Sequence, residues 1–260
     1  MANDKYAQPD RRPAVVAGAS SGIGAEVARV LVAAGTPVAL GARRLERCEE
    51  LAAELRAEGG EAWAGRLDIT DSASVEAFAK GAEDALGEIE IVVANAGVTQ
   101  PGRLLEVEPE RIAQELDVNL VGVQRLVRAF VPGMVQRRRG DLVVVSSDVA
   151  VRARPFMSGY AASKWGLEGL TNALQMELEG SGVRVSIVRP GPTWSEMGGD
   201  WDPDQAADVL NGWIKFGLAR HPHFLKPRAV AEAISTVVNA PRGVHLSLIE
   251  VNPEAPLEER

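Results

Sequence analysis

Ala14-Val15-Val16-Ala17-Gly18-Ala19-Ser20-Ser21-Gly22-Ile23-Gly24-Ala25-Glu26-Val27-Ala28-Arg29-Val30-Leu31 is the stretch on which the reading of the fold turns. The apolar run at 14–17 has strand character, and Ile23, Val27, Val30 and Leu31 recur at helical spacing, so a strand passes through a glycine turn into an amphipathic helix. Three glycines let the backbone turn sharply and approach a pyrophosphate, while free N–H groups and the positive end of the helix dipole receive negative charge. Gly18, Ser20, Ser21, Gly22, Ile23 and Gly24 are therefore candidate cofactor-binding residues. The spacing is one residue longer in its first gap than the common dinucleotide fingerprint, and alone it also suits an ordinary strand-to-helix turn.

Outward from this stretch, short β-rich runs alternate with longer helical patterns. Strands are predicted at 37–41, 61–67, 89–94, 142–146, 183–188 and 246–251; helices at 44–58, 72–86, 109–138, 158–178 and 228–239. Such repetition implies an α/β fold, a doubly wound and mainly parallel sheet of about seven strands with helices on both faces. Several strands are nearly pure Val, Ile and Leu, as expected when both faces are covered. A polar arm at 1–12 precedes a single expected domain at 13–260, since no repeat or linker interrupts the chain.

Composition excludes several classes. A net charge of −8 argues against a nucleic-acid or anionic-membrane surface, and the one basic run, Arg137-Arg138-Arg139, suits a helix C-terminus before Gly140. No run of about 18 apolar residues and no signal-like start is present, so the expected location is cytoplasmic. The single cysteine, Cys48, cannot form an internal disulfide, which fits a reducing compartment. His221-Pro222-His223 lacks a third ligand at useful spacing, so no metal site is expected. Without a Gly-x-Ser-x-Gly elbow, a Ser-His-Asp hydrolase has no anchor.

In a doubly wound sheet, ligands bind beyond the carboxyl ends of the strands. The polar and glycine signals fall there: the glycine run after the first strand, Asp68-Ile69 after the third, Asn95-Ala96-Gly97 after the fourth, Ser146-Ser147 after the fifth and Pro190-Gly191 after the sixth. Downstream of Ser147 stands Tyr160-Ala161-Ala162-Ser163-Lys164, whose Tyr and Lys share one helix face. A Tyr-x-x-x-Lys alone says little; joined to a phosphate-cradling turn it pairs a proton donor with a nucleotide site.

Over residues 13–252 the chain resembles the short-chain dehydrogenase/reductase family, in its shorter single-domain branch. The relatives' glycine motif usually opens with Thr where Ala17 stands, and their fourth-strand motif reads Asn-Asn-Ala-Gly where this chain has Ala94-Asn95-Ala96-Gly97, so weaker bracing of the turn is expected. The resemblance implies an oxidoreductase moving hydride between a nicotinamide cofactor and a ketone, aldehyde or secondary alcohol. Tyr160 would be the acid or base, with Lys164 stabilising its phenolate, because an unperturbed tyrosine with a pKa near 10 is a poor base at neutral pH. Lys164 would also reach the nicotinamide ribose. Ser147 would hydrogen-bond the substrate oxygen, and Ser146 is expected to face away. Asn119, mid-helix, would help hold a relay water. Asp68-Ile69 would touch adenine, although an aspartate there also suits a helix cap. Pro190, Gly191 and Thr193 would contact the carboxamide. Relatives form tetramers through two long helices, so a homo-oligomer, tetramer or dimer, is implied.

Two rivals stand beside this reading: a catalytically idle nucleotide-binding or redox-sensing protein on the same fold, and a nucleotide-sugar epimerase or dehydratase from the family's longer branch. Keeping all four catalytic positions disfavours the first; the glycine spacing and the missing C-terminal domain disfavour the second.

Cofactor choice is read from the end of the second strand. An NAD-using enzyme places an acid about 20 residues after the glycine turn, and here that place falls on Ala42, followed by Arg43 and Arg44. Arg43 is placed to hold a 2′-phosphate in its planar fork, so NADP(H) is expected over NAD(H). The long 190–227 connection carries Trp194, Trp201, Trp213, Phe216 and Phe224, which predicts a substrate lid at 194–225 over a mainly apolar substrate, or else a small satellite core built on a 204–220 helix. Arg152 and Arg154 would add an anion contact at the rim.

Overall fold

A computed structural model describes residues 8–197, 201–219, 221 and 223–257. Parts of the N-terminal arm and of the expected lid (198–200, 220 and 222) therefore lie outside the described residues. In chain order the elements are β1 (Ala14–Ala17), α1 (Gly22–Ala33), β2 (Val38–Ala42), α2 (Leu45–Ala57), β3 (Ala62–Arg66), α3 (Ser72–Leu86), β4 (Ile91–Ala94), α4 (Pro109–Leu116), α5 (Gly122–Arg137), β5 (Gly140–Val145), α6 (Ser158–Glu177), β6 (Val183–Pro190), α7 (Pro203–Lys215), α8 (Pro227–Asn239) and β7 (Leu248–Val251). The strands form one parallel sheet in the order β3-β2-β1-β4-β5-β6-β7. The chain leaves β1 toward β2 on one side and returns to β4 on the other, so β1 and β4 flank the switch point where such sheets bind ligands.

Side-chain alternation along each strand divides the core in two. Val16, Leu40, Val93 and Val143 face Val27, Leu31, Leu51, Leu55 and Ile234 on one side. Val15, Val92 and Leu142 face Phe78, Leu126, Phe130 and Leu167 on the other. Because both sides are covered, β1, β2, β4, β5 and β6 are buried along their whole length; β1, β2 and β4 are accordingly continuous apolar runs, whereas β5 and β6 also bury Asp141, Arg184, Ser186 and Arg189. Cys48 lies inside α2, and burial pushes its thiol up to about 11.

The predicted 109–138 helix is interrupted. Asp117–Val121 form a π turn between α4 and α5, so Asn119 sits in a widened turn rather than mid-helix. The long 190–227 connection is likewise not irregular throughout, because Pro203–Lys215 form α7, capped by Asp202, whose side chain accepts from the N–H groups of Asp204 and Gln205.

Buried charge ties the amino edge of the sheet together. Asp141, at the start of β5 and 2% exposed, accepts from Arg184 at 2.6 and 3.1 Å and also pairs with Arg12. Arg184 donates further to the carbonyls of Ala240 and Val244. Removing the carboxylate leaves Arg184 buried without its counter-charge, so Asp141→Ala is expected to lower unfolding stability by about 3–5 kcal/mol. Urea unfolding checks this, and a loss below about 1 kcal/mol would show that the pair is not holding the edge.

Candidate active site

At the carboxyl ends of the strands a cleft of about 1090 Å³ gathers the glycine run, Ser147, Tyr160, Lys164 and the 190–197 segment. Gly18 has φ +81°, and a Cβ there would lie 2.8 Å from the Ala96 Cα, so only glycine fits between the β1 and β4 turns. A Cβ on Gly24 would lie 2.1 Å from the Gly18 carbonyl oxygen. Asn95 donates from Nδ2 to the Gly18 carbonyl at 3.2 Å, bracing the turn where relatives are expected to use a threonine at the Ala17 position. At the N-cap of α1, Ser21 makes no side-chain cap, and the first turn carries no acid. That turn therefore presents N–H groups without a side-chain cap to the cleft, with the Glu196 carboxylate hydrogen-bonded to Ser21 beside it, which fits an anion such as a pyrophosphate.

The arginines after β2 separate. Arg43 lines the cleft beside Asp68, whose carboxyl is held below its usual range chiefly by hydrogen bonding with Thr70, with Arg43 a smaller contributor. Arg44 crosses to the glycine turn, donating to Ser20 Oγ at 3.0 Å and Ser21 Oγ at 3.0 Å. Both arginines were expected to meet the cofactor, Arg43 at the 2′-phosphate; Arg43 lines the cleft and Arg44 reaches the glycine turn. Arg44 and Arg47 also pair with Glu196 at 2.9 and 2.6 Å, which together hold its carboxyl down at about 2. Neither Arg47 nor Glu196 was legible in the sequence, since the pairs join positions about 150 residues apart.

Asp68 is not the cap of the next helix. Its side chain accepts from the Thr70 N–H and hydroxyl, while Asp71 caps α3. Ile69 lies at the cleft wall with Gly97, Pro190 and Gly191. Thr193 donates its hydroxyl to the Gly191 carbonyl at 2.9 Å and keeps its oxygen free to accept.

Ser147, Tyr160 and Lys164 converge from β5 and α6. Burial pushes the Tyr160 hydroxyl up to about 12, and a hydrogen bond with Ser147 opposes it. Lys164 donates to the Val145 carbonyl at 2.8 Å, and its Nζ lies 5.7 Å from the centroid of the Tyr160 ring. Burial lowers its ammonium to about 8. Burial is the largest influence on both groups, and the lysine head is engaged by the strand carbonyl. Ser146 faces away as expected, donating to Glu168 at 2.6 Å within a buried cluster that includes Arg189.

The Asn119 side chain accepts from the Val98 N–H at 2.8 Å, donates to the Val98 carbonyl at 2.8 Å and donates to Ser163 Oγ at 3.0 Å, so its amide is filled by protein partners. Ser163 in turn donates to the Tyr160 carbonyl at 2.7 Å. Asn119 therefore clamps the loop after β4 to the turn of α6 that carries Tyr160.

Over the site, residues 192–194 join 225 through Trp194 N–H to Leu225 O at 2.9 Å and Leu225 N–H to Pro192 O at 2.8 Å. Trp201 and Trp213 pack with Val149 and Met157 against Tyr160. Arg152 is exposed, whereas Arg154 is buried and paired with Asp148. His223 Nδ1 contacts the Glu254 carbonyl at 3.0 Å, and Pro222 lies outside the described residues. Among the described residues no cluster of three metal-ligating side chains occurs, and no helix is long and apolar enough to cross a membrane.

The short-chain dehydrogenase family model matches residues 12–206, and the chain belongs to that family of oxidoreductases. It is 36% identical over 240 residues to a glycine betaine reductase of Emericella nidulans, covering 92% of this chain but only 18% of the length of that relative. An alcohol dehydrogenase from the archaeon Thermococcus sibiricus, complexed with 5-hydroxy-NADP, superposes with a TM-score of 0.82 at 33% identity, over 96% of this chain and 100% of that one. A short-chain dehydrogenase/reductase from Burkholderia phymatum in complex with NAD gives 0.80 at 25% identity, over 93% of this chain and 89% of that one.

If Asn119 is the clamp, Asn119→Ala leaves the Val98 N–H and C=O without partners, each at a cost of about 1–3 kcal/mol. Amide exchange at Val98 is then expected to accelerate by at least about tenfold in hydrogen–deuterium exchange. Unchanged protection there would remove the clamp assignment.

Proposed function

We propose that the protein is an NADP(H)-dependent oxidoreductase that interconverts a ketone or aldehyde with an alcohol, using Tyr160 as acid or base. The observation carrying this reading is the convergence of Ser147, Tyr160 and Lys164 in the cleft that also holds the Gly18–Gly24 turn. Gly18, Ser20, Ser21, Gly22, Ile23 and Gly24 would take the pyrophosphate at the start of α1, with Asp68, Ile69 and Asn95 to Gly97 along the adenine side and Pro190, Gly191 and Thr193 beside the nicotinamide. Bound there, the reduced nicotinamide supplies the hydride.

The protein's part is proton delivery and position. A phenol raised to about 12 stays protonated across the neutral range, so Tyr160 suits donation to a carbonyl oxygen. Ser147 would hold that oxygen beside the phenol. Lys164 is charged below about 8 and loses its charge as pH rises through that value, so its support for negative charge on Tyr160 fades on the alkaline side. Asn119 acts as a positioning residue through Ser163. A cytoplasmic homo-oligomer acting on a small molecule, not on nucleic acid or membrane, belongs to the same proposal.

Two measurements test it. Tyr160→Phe keeps the ring and loses the hydroxyl, so carbonyl reduction is expected to fall by about 10²- to 10⁴-fold while cofactor binding persists. The wild-type kcat/KM for reduction is expected to decline above about pH 8 with loss of the Lys164 charge. A variant that keeps more than about a tenth of the turnover would refute the role of Tyr160.

NADP(H) preference rests on the lack of an acid at Ala42 and on the two arginines after β2, of which Arg43 lines the cleft and Arg44 reaches the glycine turn. Supporting neighbours are mixed, since one carries an NADP analogue and another NAD. Arg44→Ala is expected to weaken NADPH by roughly 10- to 150-fold and to leave NADH little changed. Titration of both cofactors checks this, and an unchanged ratio would return the assignment to Arg43 or to NAD.

A further inference from the structure

Among the described residues, five buried side-chain polar atoms have no hydrogen-bonding partner in the protein: Thr99 Oγ1, Arg137 Nε, Arg154 Nε, Trp201 Nε1 and Trp213 Nε1. Arg137 lies far from the cleft and has Glu88 at 3.5 Å and Glu90 at 3.7 Å to meet its charge. The other four belong to residues lining the active-site cleft. Packing accidents would scatter such atoms over the molecule, whereas these four belong to residues of one cleft.

Their chemistry is also of one kind. Guanidinium and indole N–H groups only donate, and a threonine hydroxyl can donate as well. Arg154 is 8% exposed, and its guanidinium carbon lies 4.2 Å from the Trp213 ring centroid. Trp213 and Trp201 in turn pack against the cluster of Val149, Met157 and Tyr160. Asp148 pairs with Nη2 of Arg154 and leaves Nε without an acceptor. The cleft lining supplies an apolar stretch of Val149, Met157, Val209 and Leu210 beside the carboxyl groups of Glu115 and Asp148. An arginine held in such a wall, stacked on an indole and only partly used by Asp148, is set for a planar acceptor. A cationic substrate would meet Arg154 and find its aromatic partner already occupied.

We propose that the substrate carries a carboxylate besides its reacting carbonyl or alcohol, and that Arg154 holds this carboxylate with the indole N–H groups of Trp201 and Trp213. This deepens the reductase reading and rests on it. It also revises the sequence expectation of a mainly apolar substrate with an anion contact at the rim: the arginine in question is buried in the substrate wall, and Arg152 stays outside. The body of the substrate is apolar, to match the rest of that wall.

Matched acid and ester pairs test it. Phenylglyoxylate, 4-oxo-4-phenylbutanoate and 5-oxo-5-phenylpentanoate are assayed with NADPH against their methyl esters. At least one acid is expected to exceed its ester in kcat/KM by about tenfold or more, the scale of one charge-assisted hydrogen bond. Arg154→Lys keeps the charge but loses the fork, and Trp213→Phe keeps a ring but loses the N–H; each should shrink that acid-to-ester ratio by several-fold. Binding of 4-phenylbutanoate, which has no carbonyl, is followed separately by tryptophan fluorescence of the cofactor-loaded protein and compared with its methyl ester. If no carbonyl is turned over yet 4-phenylbutanoate binds about tenfold tighter than its ester, the reductase reading fails and the carboxylate site stands. Esters turned over as well as acids, with no preference in binding, overturn the carboxylate site and leave the reductase reading in place.

Discussion

The close approach of the β1 and β4 turns sets the geometry of this molecule. Gly18 sits where a single added carbon would strike the Ala96 backbone, and Asn95 holds the Gly18 carbonyl. With that contact made, β1 and β4 pair in register from Ala14 against Ile91 to Ala17 against Ala94, and α1 begins beside the cleft with its first N–H groups uncapped. The loop after β4 then continues to Val98, where Asn119 joins it to the Ser163 turn of α6. The glycine turn and Tyr160 are thereby parts of one braced unit, linked through two loops and a π turn rather than through direct contact.

Burial governs the charges within that unit. It raises the phenol of Tyr160 and lowers the ammonium of Lys164, so the two groups are driven toward their neutral forms in the same pocket. Near the glycine turn the balance is different, because the groups there are more exposed: Arg44 and Arg47 pair with Glu196 across the mouth of the cleft. Exposed pairs of this kind are weak and easily exchanged for another anion, whereas the buried Glu168–Arg189 pair behind Ser146 is structural.

The sequence by itself determined the sheet, because buried parallel strands must be apolar on both faces and this leaves runs such as Ala14–Ala17 and Ile91–Ala94 unmistakable. It also placed Gly18, Ser147, Tyr160 and Lys164 at one edge, since strand ends and helical spacing follow from local order. It did not reach the π turn at Asp117–Val121, which no local pattern announces. The folded chain alone decided that Arg44 rather than Arg43 crosses to the turn, that Asn119 spends its amide on Val98, and that Arg154 is buried against Trp213. Each of these depends on which side chain first finds a partner from a distant segment, and such pairings are fixed by tertiary packing, with no periodicity along the chain to record them.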